Sequence, residues 1–231
     1  MLELSKFKKI HFDTLDSTNL RARKLAAEEP FAIITADEQT AGRASKPDKS
    51  WFSPKGNLFF TMLARDPALV GERLPRLAAI SALSVVEAVQ KFSPNAPLLI
   101  KWPNDILLGM KKVCGILIEQ EGGSAIIGIG VNVAIVPPAG VAVYPTASLG
   151  SCCTCPELAE VLAEKLVENI NSSFDGVLAR ARKYLFKLGE KVVLDAHGRR
   201  VEGVFERLGE GGEMIVDGCP FVSGELTREN F

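Results

Sequence analysis

Four short apolar runs crowd into residues 98–133: LLIKW, DILLG, KVCGILIEQ and AIIGIGVNV. Their length, their Ile and Val content and the Gly, Pro and Asn residues between them predict strands. DILLG and KVCGILIE flank Met110-Lys111 and are expected to pair as a hairpin. Pro103 pushes Trp102 toward an extended conformation and lacks a backbone donor, so the strand through Lys101 should end at an irregular turn. The hairpin then returns Lys112 and Val113-Cys114-Gly115 beside Asn104-Asp105. A lysine, an amide and a carboxylate converge next to a glycine, where a ligand can approach the backbone closely. Such a group suits an anionic substrate. The ammonium neutralises carboxylate or phosphate oxygens, and the carboxylate holds a metal ion or accepts a proton from an amine. The same spacing is met by a hairpin with a solvated charged tip.

The surrounding pattern fits an α+β chain. KIHFD (9–13), AIITAD (32–37) and LFFTMLA (58–64) read as strands. Ser17-Thr18-Asn19 supplies helix-capping chemistry ahead of Leu20, Leu25 and Ala26. Residues 38–57, with Gly42, Pro47, Pro54 and Gly56, form a long loop of the kind that usually carries function. Residues 75–91 are apolar nearly all round, which predicts a buried helix. Pro156 suits the first turn of a further helix, and Leu158, Leu162, Leu166, Ile170 and Phe174 follow at spacing four on one face. Beyond Leu188-Gly189, short strands alternate with His197-Gly198, Gly209–Gly212 and Asp217-Gly218. This predicts a small antiparallel barrel or sheet. The expected division is 1–187 for the main domain and 188–231 for the small one.

Composition narrows the class. Apolar residues make up 47%, charged residues 24%, and the formal net charge is −1, which supports a sizeable core and gives no nucleic-acid-coating surface. The start, MLELSKFKKIHF, has no apolar secretory segment, and LAAISALSVVEAV is too short to span a bilayer. A soluble, cytoplasmic protein is expected. SCCTC holds Cys152, Cys153 and Cys155, far in sequence from His11 and His197. These read as free thiols, since a structural zinc needs about four ligands at workable spacing. No protein metal site is assigned.

The opening segment resembles one family. KWPNDILL with KKVCGILIE is similar to the KWPND…RK(L/V)xGIL segment of biotin–protein ligases. Asp16-Ser17-Thr18-Asn19 resembles their DSTN. Gln39-Thr40-Ala41-Gly42-Arg43, then Trp51-Phe52-Ser53-Pro54 and Gly56-Asn57-Leu58, resembles their QTAGRGRRGRxWxSPxGNL loop. Gly128-Ile129-Gly130-Val131-Asn132-Val133 resembles GIGINV, and Ser223-Gly224-Glu225 matches the SGE that closes their small β-domain. The likeness spans almost the whole chain. It implies a mixed-sheet catalytic domain of the biotin/lipoate-ligase type followed by a small SH3-like β-barrel.

The resemblance also implies chemistry. The biotin carboxylate attacks the α-phosphate of ATP, giving biotinyl-5′-AMP and pyrophosphate. A lysine amine of a biotin carboxyl carrier protein then attacks the acyl carbon and releases AMP. No enzyme nucleophile is required, and Mg²⁺ accompanies the polyphosphate. By position, Lys112 is expected at the biotin carboxylate and α-phosphate, Arg43 at biotin and the adenylate, and Asp105 at the incoming amine. Ser17, Thr18 and Gln39 should bind the ureido head, with Asn19 beside them. Gly42, Gly115, Ile116 and Leu117 should line the pocket. Trp51 should stack on the adenylate side, Asn104 and Asp105 should sit at the phosphate and incoming lysine with Lys101 as a further binding residue, and Asn132 should face the adenine. Each has a plainer role: Ser17 and Thr18 as caps, Trp51 as core, Asn132 as a backbone partner. Cys114 reads as a small packed hydrophobe.

One segment departs from the family. Gly42-Arg43-Ala44-Ser45-Lys46-Pro47-Asp48-Lys49-Ser50-Trp51 lacks the second and third glycines and several arginines. Lysine lacks the planar fork of arginine, and Pro47 stiffens the segment. Weaker retention of the acyl-adenylate, or a differently shaped lid, is expected. Too few residues precede the first strand for a winged helix-turn-helix, so no direct DNA binding is expected, and no membrane association. Dimerisation through the main sheet is compatible with the resemblance. The rival readings are a lipoate–protein ligase or octanoyltransferase of the same fold, and a binding module that has lost adenylation.

Overall fold

A computed structural model describes residues 1–46, 49–138 and 144–231, with only the backbone of Glu72. Among these, seven strands form a mixed sheet: β1 (Lys8–Leu15), β2 (Phe31–Gln39), β3 (Leu58–Ala64), β4 (Leu98–Lys101), β5 (Asp105–Leu108), β6 (Lys111–Glu121) and β7 (Ser124–Val131). Their order is β1-β2-β3-β7-β6-β5-β4. Only β1 and β2 run parallel, joined by α1 (Thr18–Leu25), while the remaining neighbours are antiparallel. The α+β expectation holds.

Period-two alternation divides this sheet into two unlike faces. On one face Phe60, Met62, Cys114, Ile116, Ile127 and Ile129 pack under α2 (Leu74–Phe92) and α3 (Cys155–Asn171), which bury Leu83, Val86, Leu158, Leu162 and Leu166. On the other face, α1 covers only one end, with Ala22 and Leu25 against Ile34, Leu63 and Ile126. Next to Ile126 on this face the alternating positions of β7 are Gly128 and Gly130, and Gly115 lies across from Gly130 on β6. The sequence IIGIG therefore writes a core on one side and a groove on the other.

Thr154 opens α3 with a capping box. Its hydroxyl accepts from Glu157 N, and Glu157 Oε2 accepts from Thr154 N (2.9 Å). Phe174 does not continue the α3 face as its spacing suggested. Ser172 and Ser173 are extended, α3 stops at Asn171, and Ser173 caps α4 (Phe174–Ala181). Phe174 reaches the same core from the new helix.

The C-terminal strands β8 (Lys191–Ala196), β9 (Arg199–Leu208), β10 (Met214–Val216), β11 (Cys219–Phe221) and β12 (Glu225–Leu226) form an antiparallel sheet in the order β11-β10-β9-β8-β12. His197-Gly198 and Asp217-Gly218 make its tight turns at positive φ. Its core is shared with the main sheet: Trp102, Leu107 and Phe186 pack with Val192, Leu194, Phe205 and Met214. The Trp102 indole N–H donates to Gly212 O at 3.2 Å, so the tryptophan of KWPND is a docking residue for the second sheet.

A buried polar cluster ties α2, α3 and α4. The fully buried Asn169 donates from Nδ2 to Ser84 Oγ (3.0 Å) and Glu87 Oε2 (2.9 Å), and its Oδ1 accepts from Arg180 Nη2 (2.7 Å). Asn169→Ala leaves all three partners short of a bond in a largely buried site. The variant is expected to lose about 2–3 kcal/mol of unfolding free energy in urea titration. A loss below about 0.5 kcal/mol would show that the cluster carries no such weight.

Candidate active site

The side on which Lys112 stands is set by a bulge. Asp105 pairs with Gly115 and Ile106 with Cys114, but Leu107 pairs with Lys112, leaving Val113 as an extra residue in β6. Without it, Lys112 would share the core-facing parity of Cys114 and Ile116. With it, Lys112 stands on the open face with Asp105 and Gly115. Its Nζ lies 2.5 Å from Asp105 Oδ1. Lys101, at the end of β4, lies 3.6 Å from Asp105 Oδ2 and is 3% exposed. Burial drives the Lys101 pKa below the ordinary lysine value, with Asp105 opposing and Lys112 reinforcing that shift. The Tyr144 ring, 4.4 Å from Lys101 Nζ, offers a further partner. Two lysines converge on one carboxylate, an arrangement suited to receiving an anion at Lys112.

Cys114, two residues beyond Lys112, points into the core. Burial pushes its thiol pKa well up despite the Lys112 charge, so it has no thiolate character. The Trp102-Pro103-Asn104 tip of the β4–β5 connection is held by Asn104, whose Nδ2 donates to Ile116 O (2.9 Å) and whose carbonyl accepts from Ile116 N (2.8 Å). The Trp102–Pro103 peptide in this connection is cis.

A pocket of about 60 Å³ lies beside this cluster, lined by Ser17, Thr18, Asn19, Gln39, Arg43, Trp51, Asn104, Lys112, Gly115, Ile116 and Leu117, with Phe59, Gly128 and Gly130. Ser17 is the N-cap of α1 by position, yet its side chain makes no capping bond, so the capping role expected of it is not observed. Thr18 is held instead by Gln39, whose Oε1 accepts from Thr18 N (2.8 Å) and Oγ1 (3.1 Å), while Nε2 donates to Ser53 Oγ (3.0 Å). Gly42 lines neither this pocket nor the neighbouring cleft. It is needed where the loop closes on itself: its carbonyl accepts from Trp51 N (3.0 Å), and a Cβ would fall 2.4 Å from Trp51 O.

Trp51 fills the groove written by the glycines. A Cβ on Gly115 would lie 2.8 Å from the indole, and one on Gly130 would lie 2.5 Å from Nε1. Lys112 Nζ is 5.3 Å from the ring centre, and the buried Nε1 has no hydrogen-bond partner among the described residues. About 60 Å³ is well short of the roughly 300 Å³ at which small-molecule pockets begin. A ligand entering here has to displace the indole.

A second cleft of about 820 Å³ adjoins it between the two sheets. Lys101, Asn104, Asp105, Lys112 and Asn132 border it on one side, and Tyr144, Ser223, Gly224 and Glu225 on the other. Asn132 donates to Ala147 O (3.1 Å), while its buried Oδ1 has no partner among the described residues. Glu225 accepts from the Tyr144 hydroxyl (3.0 Å) and pairs with Lys46. Burial opposes its charge, but these hydrogen bonds outweigh that and hold the carboxyl below its usual range. The altered loop is thus tied to the second sheet through Lys46. Pro47, expected to stiffen it, lies outside the described residues. Sequence reasoning gave no role to Glu225, Tyr144 or Glu119. Glu225 sat in a quoted motif, whereas Tyr144 follows a stretch without periodicity.

This geometry is that of a ligand-binding enzyme site at the glycine face of a mixed sheet, and comparison gives the family. The signature of the Biotin/lipoate A/B protein ligase family matches residues 11–135, more than half of the chain. The chain belongs to that family. It is 32% identical over 222 residues to the biotin–[acetyl-CoA-carboxylase] ligase of Paracoccus denitrificans, covering 88% of this chain and 91% of that protein. A bifunctional ligase/repressor of Bacillus subtilis is 37% identical over 131 residues, 54% of this chain and 40% of that protein. The biotin protein ligase of Aquifex aeolicus, solved with biotin and ATP, superposes with a TM-score of 0.82 at 27% identity, covering 96% of this chain and 98% of that one. No helix among the described residues is long and apolar enough to cross a membrane.

Gly130→Ala is expected to drive the Trp51 indole out of the groove and raise acrylamide quenching of tryptophan emission, with buried Trp102 a constant background. Unchanged quenching would mean that the indole does not rest on Gly130.

Proposed function

We propose that this chain is an ATP-dependent biotin–protein ligase that forms biotinyl-5′-AMP and passes biotin to a lysine of a biotin carboxyl carrier domain. The observation that carries this reading is the near full-length relationship to a biotin–[acetyl-CoA-carboxylase] ligase. The fold shared with a ligase that binds biotin and ATP supports it. Residues 1–187 act as the catalytic domain and residues 188–231 as a small β-domain of SH3-like type.

The roles follow from charge and place. Ser17, Thr18 and Gln39 hold the ureido head, with Asn19 beside them, and the Gly115–Leu117 backbone flanks the tail. Lys112 draws the biotin carboxylate and the α-phosphate together, where two anions would otherwise repel. The phosphate takes up the carboxylate oxygen and pyrophosphate leaves. Arg43 adds a planar fork for the adenylate. Lys101 and Asn104 border the phosphate path, and Asn132 offers its unpaired Oδ1 to the adenine amino group. Trp51 leaves the glycine groove and stacks on the adenylate side. Asp105, which anchors Lys112 in the free site, orients the carrier amine for attack on the acyl carbon, with AMP as the leaving group.

ATP enters as its magnesium complex. Of the carboxylates that border the larger cleft, Asp105 and Glu225 are already paired with lysines, and Asp195 lies on the second sheet. The magnesium ion belongs to the nucleotide substrate.

The test is mass spectrometry of a carrier domain incubated with the protein, ATP, Mg²⁺ and equal biotin and lipoate. ATP-dependent addition of biotin is expected, reduced about 100-fold or more by Lys112→Ala. Lipoyl addition, or no addition by the unaltered protein, would overturn the reading.

A further inference from the structure

Glu119 lies on β6 two residues beyond Leu117, on the groove face, and its side chain is only 15% exposed. Both carboxylate oxygens are engaged. Oε2 accepts from Asn19 Nδ2 at 2.8 Å, and Oε1 pairs with Arg43 Nη2 at 3.1 Å and Arg23 Nη1 at 3.7 Å. Asn19 is fixed in turn. Its Oδ1 accepts from the buried Thr61 hydroxyl at 2.7 Å, and its amide lies over Gly128, where a Cβ would come within 2.1 Å. Arg23 is committed to Glu121 through Nε (3.0 Å) and Nη2 (2.8 Å). The chain of contacts from Thr61 through Asn19 to Glu119 therefore ends on Arg43, the arginine retained where the loop has lost others.

We propose that Glu119 is a positioning residue for Arg43: it holds the guanidinium at the pocket through one terminal nitrogen, leaving the remaining donors for the anionic ligand. The proposal rests on the biotin–ATP reading and deepens it. A guanidinium carries five N–H donors in a rigid plane, so pairing Nη2 with Glu119 constrains where the rest point. In a loop without its second and third glycines, that orientation comes from the sheet below.

The geometry makes a counter-intuitive demand. Removing a negative charge beside an anion site should, by charge alone, tighten anion binding. Positioning requires the opposite. The test follows biotinyl-5′-AMP release from preformed complexes of unaltered protein, Glu119→Gln, Arg43→Gln and the double variant, together with the KM for ATP. Release from Glu119→Gln is expected to be about tenfold faster, with the KM for ATP unchanged. The double variant should release no faster than Arg43→Gln alone, since both substitutions remove one interaction. Release equal to or slower than in the unaltered protein would overturn the proposal, as would additive effects in the double variant. If Glu119→Gln does not fold, Glu119→Asp is read the same way, its shorter carboxylate withdrawing from Arg43. Failure of the unaltered protein to form biotinyl-5′-AMP would instead strike the functional reading itself.

Discussion

Lys112 and Asp105 meet on the open face of the main sheet because Val113 is an unpaired residue in β6, and the electrostatics of the site depend on that one bulge. A strand is a strict alternator, so a cation at position 112 and a core side chain at 114 and 116 share one parity. The extra residue breaks that parity. It lets a single strand serve the core with Cys114 and Ile116 and the site with Lys112 and Gly115.

The charge cluster works as a unit that neither half of the molecule supplies alone. Lys101 is nearly free of solvent, and its charge is tolerated because Asp105 faces it at 3.6 Å and the Tyr144 ring at 4.4 Å. Tyr144 is held by Glu225 of the second sheet, and Trp102, next in sequence to Lys101, is bonded to Gly212 of the same sheet. The small sheet thus sets the surroundings of the two lysines while the main sheet carries them.

Much of this was legible in the sequence, and the illegible part has physical causes. The strands of 98–133, the β5–β6 hairpin and the meeting of Lys112 with Asn104-Asp105 follow from apolar runs and turn residues. The bulge at Val113 leaves no mark in the pattern, because Val suits a paired and an unpaired position equally. Ser17 read as a helix cap, yet its hydroxyl does not cap, since capping depends on a torsion that composition does not encode. Phe174 kept the spacing of α3, but two serines end that helix first. Glu119 and Tyr144 gained meaning only when strands distant in sequence came together.

The Ile–Gly alternation of β7 limits how this groove can be reshaped for another ligand. The groove floor is built from side chains that are absent, at Gly115, Gly128 and Gly130. Such a floor has no slack below it: every substitution there can only fill. Room for a bulkier ligand cannot be made on that side and has to come from the walls, where Phe59, Leu117 and Trp51 still have atoms to give up. In this scaffold the glycines fix the depth of the groove, and only its walls, the strand residues Phe59 and Leu117 and the loop residue Trp51, can vary in size.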